Sequence, residues 1–336
     1  MSPLTFPARL SLAQTPTPLV PMERFSASRD LPRIWLKRDD LTHSVAAGNK
    51  IRKLEFNLAE AQARGTDVVI TYGGLQSNHC RSTAALCASL GIKTHLVLRS
   101  NGVPSDAADG NYLLDRVLGA EVSYVSGAEL SRNFEQIESD LVAHYRAQGL
   151  KAFCIPIGAS DATGLWGYVA ASAELCEDFN RHNIRPNYIV CASGSGGTQS
   201  GLIAGVEAYG LGAKVYGVNV CDDERWFTNK IRSDLQAWKS KFKLALDVDT
   251  LPIRILDAHV GDGYAKASDE VLQLIVDVAQ LEGVVFDPVY TAKAFLGMLK
   301  ELENGTLSSD NDIVFIHTGG LYGLFPFRQR LTALGL

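Results

Sequence analysis

The sequence predicts an α/β protein with open, twisted, mostly parallel sheets flanked by helices. Three observations predict it. Short apolar runs such as Val68-Val69-Ile70 and Tyr188-Ile189-Val190 lack polar alternation, which marks strands covered on both faces. Each enters a glycine- or hydroxyl-rich turn and then a stretch of helical periodicity. The alternation recurs along the chain without an internal repeat, a low-complexity segment or a flexible linker, so any second domain must be interleaved with the first.

From the N-terminus, Thr15-Pro16-Thr17-Pro18-Leu19 is held extended by its prolines, and residues 34–40 form a short strand ending in the charges Lys37-Arg38-Asp39-Asp40. The turn Ala47-Gly48 delivers Asn49, a good N-cap, to a helix whose Ile51, Leu54 and Leu58 share one stripe and which closes at Arg64-Gly65. Residues 68–72 are a strand running through Gly73-Gly74 into Gln76-Ser77-Asn78-His79-Cys80-Arg81, followed by a helix to about Leu90. Strands at 94–98 and 121–125, helices at 110–119 and 130–148, and an extended segment at 152–156 follow. Next, 188–192 is a strand entering Ser193-Gly194-Ser195-Gly196-Gly197-Thr198, with a helix from about Gln199 to Tyr209. A strand at 214–220, a helix at 268–282 and a late strand at 314–317 complete the reading. Ligands of open α/β sheets collect at the carboxyl ends of strands, which singles out the loops 73–81, 158–167, 193–198 and 318–323.

Composition narrows the function. A chain of 336 residues, 46% hydrophobic and 21% charged, fits a globular protein of one large or two ordinary domains. A net charge of −5 argues against nucleic acid or an anionic membrane as partner. No apolar run reaches the ~20 residues of a membrane span, and residues 1–14 carry no apolar signal region, so a cytoplasmic location is expected. The six cysteines (Cys80, Cys87, Cys154, Cys176, Cys191 and Cys221) form no C-x-x-C, and no metal site is expected. They read as buried thiols of a reducing compartment, with Cys80 open to a second reading as a nucleophile near a helix start.

Lys50 is the first candidate for chemistry. If the Ile51 stripe packs inward, Lys50 lies on a first helical turn, where N–H groups are unpaired and the dipole is positive. Such a position depresses an ammonium pKa and sets the amine beside an anion-attracting pocket, as a Schiff-base lysine requires. Those residues alone fit a solvated basic turn better, so the other loops must decide.

The 193–198 loop follows a strand, precedes a helix and offers successive small residues whose N–H groups can converge on a phosphate. It is neither a Walker A nor a dinucleotide fingerprint, because no Gly-Lys-Ser/Thr follows and Gln199 stands at the third glycine position. The Gln76–His79 turn suits a substrate carboxylate, and equally suits ordinary capping by Ser77 or Asn78. A Ser77/His79 hydrolase fails for want of a G-x-S-x-G elbow. Tyr290 is open to acid–base or nucleophilic use, against the commoner role of a core tyrosine.

Six motifs occur in order: Lys37-Arg38-Asp39-Asp40, Gly48-Asn49-Lys50-Ile51-Arg52-Lys53-Leu54-Glu55, Gln76-Ser77-Asn78-His79, Gly194-Ser195-Gly196-Gly197-Thr198, Asp287-Pro288-Val289-Tyr290 and His317-Thr318-Gly319-Gly320. The set closely resembles the D-cysteine desulfhydrase and 1-aminocyclopropane-1-carboxylate (ACC) deaminase family, over about residues 16–325. These are pyridoxal-phosphate (PLP) enzymes of the tryptophan-synthase-β type, fold type II.

The resemblance implies two interleaved sheets, in a large PLP-binding domain (1–55 and 162–336) and a small domain (56–161). It implies pyridoxal 5′-phosphate as cofactor, a small amino acid as substrate and a homodimer. Lys50 would be the Schiff-base lysine rather than Lys53. Asn78 would bond the cofactor 3′-oxygen, and Gly194, Ser195, Gly196, Gly197 and Thr198 would hold the phosphate. Thr291 and Thr318 would also touch the cofactor. Ser77, with Gln76, Asn78 and His79, would receive the substrate carboxylate, while Tyr264, Tyr290 and Tyr322 would approach the substrate from elsewhere.

ACC deaminases typically place Glu where this chain has Thr291, and Leu where it has Thr318. A glutamate beside the pyridine nitrogen keeps it protonated and strengthens the electron sink. Opening a cyclopropane needs that sink, whereas losing a good β-leaving group does not, so the threonines favour β-elimination from a D-cysteine-like substrate. Trp166 and Tyr322 are bulky where such loops are commonly small, and Ala47 replaces a frequent glycine, which reads as a reshaped pocket. The expected reaction releases pyruvate, ammonia and sulfide. L-cysteate sulfo-lyase and ACC deaminase activity are the enzymatic alternatives. A non-catalytic PLP-fold module that binds an amino acid, or a phosphate-sugar binder without PLP, are those from other classes.

Overall fold

The computed structural model describes residues 4–104, 107–308 and 310–335; residues 1–3, at the head of the N-terminal stretch read above, lie outside the described residues. The chain opens with β1 (Leu19–Pro21), α1 (Glu23–Ser28), β2 (Ile34–Lys37) and α2 (Asn49–Ala63). It continues through β3 (Val68–Gly74), α3 (Asn78–Ser89), β4 (Lys93–Arg99), α4 (Gly110–Val117), β5 (Glu121–Val125), α5 (Gly127–Ala147) and β6 (Ala152–Ile155). Then follow α6 (Trp166–His182), β7 (Tyr188–Ser193), α7 (Gly197–Tyr209), β8 (Lys214–Asn219), α8 (Glu224–Phe242) and β9 (Arg254–Leu256). The last elements are α9 (Asp269–Glu282), α10 (Thr291–Glu303), β10 (Ile313–Ile316) and α11 (Arg328–Ala333).

The strands form two sheets. The smaller has the order β5-β4-β3-β6, is wholly parallel and draws on the continuous stretch 68–155. The larger has the order β1-β2-β10-β7-β8-β9 and takes strands from both ends of the chain. Only β1 in it runs antiparallel, against β2.

The absence of polar alternation has a direct cause: successive side chains of one strand enter different cores. On β7, Ile189 and Cys191 join the cluster around Trp166, Tyr168 and Trp238. Tyr188, Val190 and Ala192 join the one around Phe286, Phe295 and Phe315. On β3, Val69 packs with Ile51, Leu54 and Leu58 of α2, while Val68, Ile70 and Tyr72 pack under α5. The Ile51 stripe therefore points inward as its spacing requires.

Two expectations, on Asn49 and Trp166, are corrected. Asn49 is not a side-chain cap: Gly48 is the N-cap, and the Asn49 amide reaches across to Thr198. At the charged end of β2, Lys37 and Asp39 are buried while Arg38 and Asp40 stay partly exposed. Lys37 is fully buried and lies 2.6 Å from Asp178. Arg52 of α2 bridges Asp39 and Glu174, each at 2.8 Å, and Tyr168 donates to Asp39 at 2.6 Å. The Arg52 guanidinium holds the Asp39 carboxyl below its ordinary range despite burial that pushes it up. Trp166 reshapes no pocket. It is fully buried against Trp238 and Phe242, the usual fate of an indole at a helical core position.

Helices α6, α8 and α10 lie outside the elements expected from the sequence, although Asp223 caps α8 by accepting the Trp226 N–H. Among the described residues no helix is long and apolar enough to cross a membrane.

Candidate active site

The carboxyl ends of β3 and β7 face a shared cavity of about 500 Å³, lined from both sheets. Eleven of the residues singled out from sequence line it: Lys50, Ser77, Asn78, His79, Gly194, Ser195, Gly196, Thr198, Tyr264, Tyr290 and Thr318. Gly197, Gln76, Thr291 and Tyr322 are not among its lining residues.

Lys50 stands on the first turn of α2 and is aimed by contacts between distant segments. The Asn49 N–H donates to Thr318 O at 3.1 Å, and the Asn49 amide donates to Thr198 Oγ1 at 2.9 Å. Gly48 has φ +111°, and a Cβ there would lie 2.4 Å from Thr318 O, so only glycine fits where the backbones touch. Burial lowers the Lys50 ammonium pKa to about 8; the field of Asp287 opposes that and the Arg81 charge adds to it. The amine stays mostly protonated at neutral pH but gives up its proton far more readily than an ordinary lysine.

At one end of the cavity the 193–198 loop turns into α7 through Gly196, whose φ is +81°. Ser160 closes this end. Its hydroxyl meets Ser195 Oγ at 2.8 Å and accepts from the Gly197 N–H at 3.2 Å, which puts Gly197 behind the lining rather than on it. Two cations that sequence reasoning passed over converge here. Lys53 is fully buried with Ser160 Oγ, at 3.3 Å, as its hydrogen-bond partner, and burial followed by the nearby Lys50 charge depresses its pKa strongly. Lys230 of α8 donates to Ser160 O at 3.1 Å and pairs with Asp234. Lys53, one turn beyond Lys50, carried a usable signal in its spacing; Lys230, on an unexpected helix, carried none.

The Ser77 turn is both a cap and a wall. Ser77 Oγ accepts the Cys80 N–H at 3.2 Å, so capping is real, and its own hydroxyl proton stays free. Asn78 Oδ1 accepts from Arg81 at 3.1 Å and from Asn111 at 3.0 Å, which leaves its Nδ2 as the donor available to the cavity. His79 Nε2 lies 2.8 Å from Thr71 Oγ1, whose single proton goes to Ile155 O. His79 therefore donates through Nε2 and keeps an unpartnered Nδ1 lone pair, and burial drives its pKa far down.

Gln76 is turned away. It knits the turn to the start of α4, donating to Asp109 O at 3.0 Å and accepting from the Asn111 N–H at 2.9 Å. Cys80 is fully buried with its thiol pKa pushed up, the opposite of an activated nucleophile.

The third wall is phenolic. Tyr264 and Tyr290 touch through their hydroxyls at 2.5 Å, and burial raises both pKa values. They are neutral proton donors, so the nucleophilic reading of Tyr290 does not fit. Asp287 organises this wall: it accepts the N–H groups of Val289 and Tyr290 at 3.0 Å and of Thr291 at 2.8 Å. The Thr291 hydroxyl is committed to that same carboxylate at 2.8 Å, which explains its absence from the cavity. Lys293, one turn along α10, donates to Val260 O and Gly263 O, both at 2.9 Å, and so holds the loop carrying Tyr264. Tyr322 stacks on the buried Arg81 guanidinium at 4.9 Å and donates to Ser44 O at 2.9 Å, supporting the lysine turn from behind.

The arrangement joins an easily deprotonated amine, an anion cradle flanked by two lysines, a second helix start bearing a free hydroxyl, and a pair of neutral phenols. Among the described residues no cluster of metal-ligating side chains is present.

Known proteins match this chain along its length. The sequence pattern of the family described as "Pyridoxal-phosphate dependent enzyme" matches residues 10–319. The bifunctional D-cysteine desulfhydrase/1-aminocyclopropane-1-carboxylate deaminase of Arabidopsis thaliana is 37% identical, covering 96% of this chain and 81% of its own. The D-cysteine desulfhydrase of Serratia proteamaculans is 35% identical over 96% of this chain and 97% of its own. A solved structure described as an ACC deaminase homologue superposes with a TM-score of 0.85 at 33% identity, covering 98% of this chain and 96% of that one.

Proposed function

The chain belongs to the pyridoxal-phosphate dependent enzymes, and on that premise we propose that it eliminates the β-substituent of D-cysteine or a related amino acid, yielding pyruvate, ammonia and sulfide. The observation that carries this reading is Lys50: an amine with its pKa lowered to about 8 on the wall of a cavity that also offers a phosphate cradle and a carboxylate-receiving helix start.

The residues fit the cofactor. Ser193 Oγ on the cavity wall is buried without a hydrogen-bond partner. A Cβ on Gly194 would come within 2.9 Å of the Tyr290 ring, so the cradle tolerates no bulk. Lys53 is buried without a carboxylate partner within ion-pair distance among the described residues, which depresses its pKa, and a phosphate dianion would favour its charged form. Lys50 would hold the cofactor covalently, Asn78 Nδ2 would bond its 3′-oxygen, and the 194–198 loop with Lys53 and Lys230 would hold its phosphate. Bound there, pyridoxal phosphate supplies the electron sink that lets a proton leave the substrate α-carbon.

The chain's own groups do the rest. The Ser77 hydroxyl and the N–H groups at the start of α3 take the substrate carboxylate. Lys50 Nζ accepts the α-proton. The Cβ–S bond breaks with its electron pair on sulfur, and Tyr290, backed by Tyr264, gives the departing sulfur a proton. The released enamine hydrolyses to pyruvate and ammonia. Deamination of ACC is the second reading, carried by the bifunctional relative. The cavity wall presents Thr318 and, among the described residues, no glutamate, which favours elimination over ring opening.

The four-stranded sheet and its helices, 56–161, form a small domain against a large one of 1–55 and 162–336 in this reading. The finer assignments are a cytoplasmic protein, supported by six unpaired cysteines, and a homodimer, supported by the exposed Leu113 and Val117 on one face of α4.

The purified protein should be yellow, and borohydride should fix the cofactor onto Lys50. A Lys50→Ala variant that keeps both the absorption band and full turnover would sink the proposal. Keto-acid and ammonia release measured across D-cysteine, L-cysteate and ACC separates elimination from deamination.

A further inference from the structure

Three extended cations line the cavity, and two have assigned partners or work. Lys50 lies in the field of Asp287, and Lys230 is paired with Asp234. Arg99, the last residue of β4, lines the cavity and is exposed to solvent, and its side chain has no hydrogen bond or ion pair among the described residues. Its guanidinium stands 5.5 Å from the Tyr264 ring centroid. Arg99 pairs in register with Gly74, and a Cβ on Gly74 would find Arg99 Nη2 and Tyr264 Cε1 each at 3.7 Å. The only carboxylate lining the cavity among the described residues is Asp222, and it makes no ion pair with Arg99. An unpaired guanidinium and a phenol that donates protons thus share one stretch of wall. The α-carboxylate already has the Ser77 turn.

We propose that Arg99 is the specificity residue for the β-substituent, selecting amino acids whose β-group carries a negative charge before it leaves: a sulfonate or a sulfinate. The inference rests on the lyase reading. A guanidinium presents paired N–H donors that match the oxygens of a sulfonate and stays charged at every working pH. It cannot give a proton, so its part is to hold charge as the Cβ–S bond breaks and the pair moves to sulfur, while Lys50 takes the α-proton. A sulfonate leaves as sulfite, and a thiol leaves as sulfide with its proton supplied by the phenols.

The test is a ratio measured on the holoenzyme: kcat/KM for cysteate over kcat/KM for 3-chloroalanine, whose β-substituent is neutral until it leaves. Arg99→Gln should lower the ratio by about tenfold or more, the weight of one charge-assisted hydrogen-bonded contact. Arg99→Lys, a point charge without the fork, should lower it less. A ratio that does not move overturns the proposal, whether both activities fall together, as for a carboxylate-binding or structural residue, or neither falls. Wild-type turnover of 3-chloroalanine with none of cysteate overturns it too. Calorimetric titration with 3-sulfopropanoate, which has both anions and no amine, reads Arg99 without turnover: its Kd should rise by about tenfold in Arg99→Gln, and an equal Kd overturns the proposal. Should the wild type release keto acid from neither amino acid, the lyase reading fails, while the titration still decides the role of Arg99.

Discussion

At the scale of single residues, the cavity works by withholding water from charge. Lys50 is the clearest case, with its folded-state pKa lowered to about 8 from an ordinary 10.5. A depressed lysine means that the unfolded chain binds more protons than the folded one between those two values, so this residue makes stability rise with pH across that window. Burial raises the thiol pKa values, which pulls the other way above about pH 9, so the lysine is read by difference: the stability of cofactor-free wild type minus that of Lys50→Met should rise between pH 8 and 10.5, by at most about 1.4 kcal/mol per pH unit from one proton. Lys50 and Ser77 were legible in the sequence because each stands at a helix start that its neighbours announce. Arg99 was not, although a strand read at 94–98 should have directed attention to the residue just beyond its carboxyl end. The Asp287 carboxylate, which sets both the Tyr290 backbone and the field at Lys50, lay inside a quoted motif whose chemistry drew the eye to the tyrosine.

At the scale of elements, the site is a meeting of helix starts. Helices α2, α3, α7 and α10 all begin beside the cavity, and the contacts between their first turns fix the geometry. Gly48 is the tightest of these contacts. Gly48→Ala would force a Cβ against Thr318 O from a backbone angle that alanine resists. The expected cost is about 2–4 kcal/mol, from backbone strain and overpacking together. Thermal melting should register it, and the cofactor absorption band should weaken because the lysine turn shifts. The sheets were legible element by element, since buried parallel strands announce themselves. Helices α6, α8 and α10 were not. Helix α8 does carry a regular stripe, Phe227, Ile231, Leu235 and Trp238, all in one core, which the strand-to-helix turns alone did not single out.

At the scale of the whole molecule, the cavity is held between a sheet made from one continuous stretch and a sheet made from both ends of the chain. A ligand gripping both walls stabilises the folded state by mass action, by about 2.7 kcal/mol at a hundredfold excess over Kd. Stripping the cofactor with an amine scavenger should therefore lower Tm, and adding back pyridoxal phosphate should restore it in a concentration-dependent way; inorganic phosphate alone should restore only part. Two interleaved sheets could be anticipated from the ordered motifs but not from composition, because no linker marks where the chain leaves one sheet for the other.

The central position of β10, between β2 and β7, has a consequence for how the protein is made. Until residue 316 has been synthesised, two inner strands stand with bare edges and the lysine turn has no Thr318 carbonyl to rest on. The nascent chain is thus both sticky and unable to assemble its cofactor cradle through nearly all of its translation. The four-stranded sheet is complete by residue 155, whereas the larger one stays divided into β1-β2 and β7-β8-β9 until β10 joins them. Capture of the cofactor is in effect a signal that the chain has been made through β10: a chain cut short by a premature stop before β10 would remain colourless, exposed and open to proteolysis.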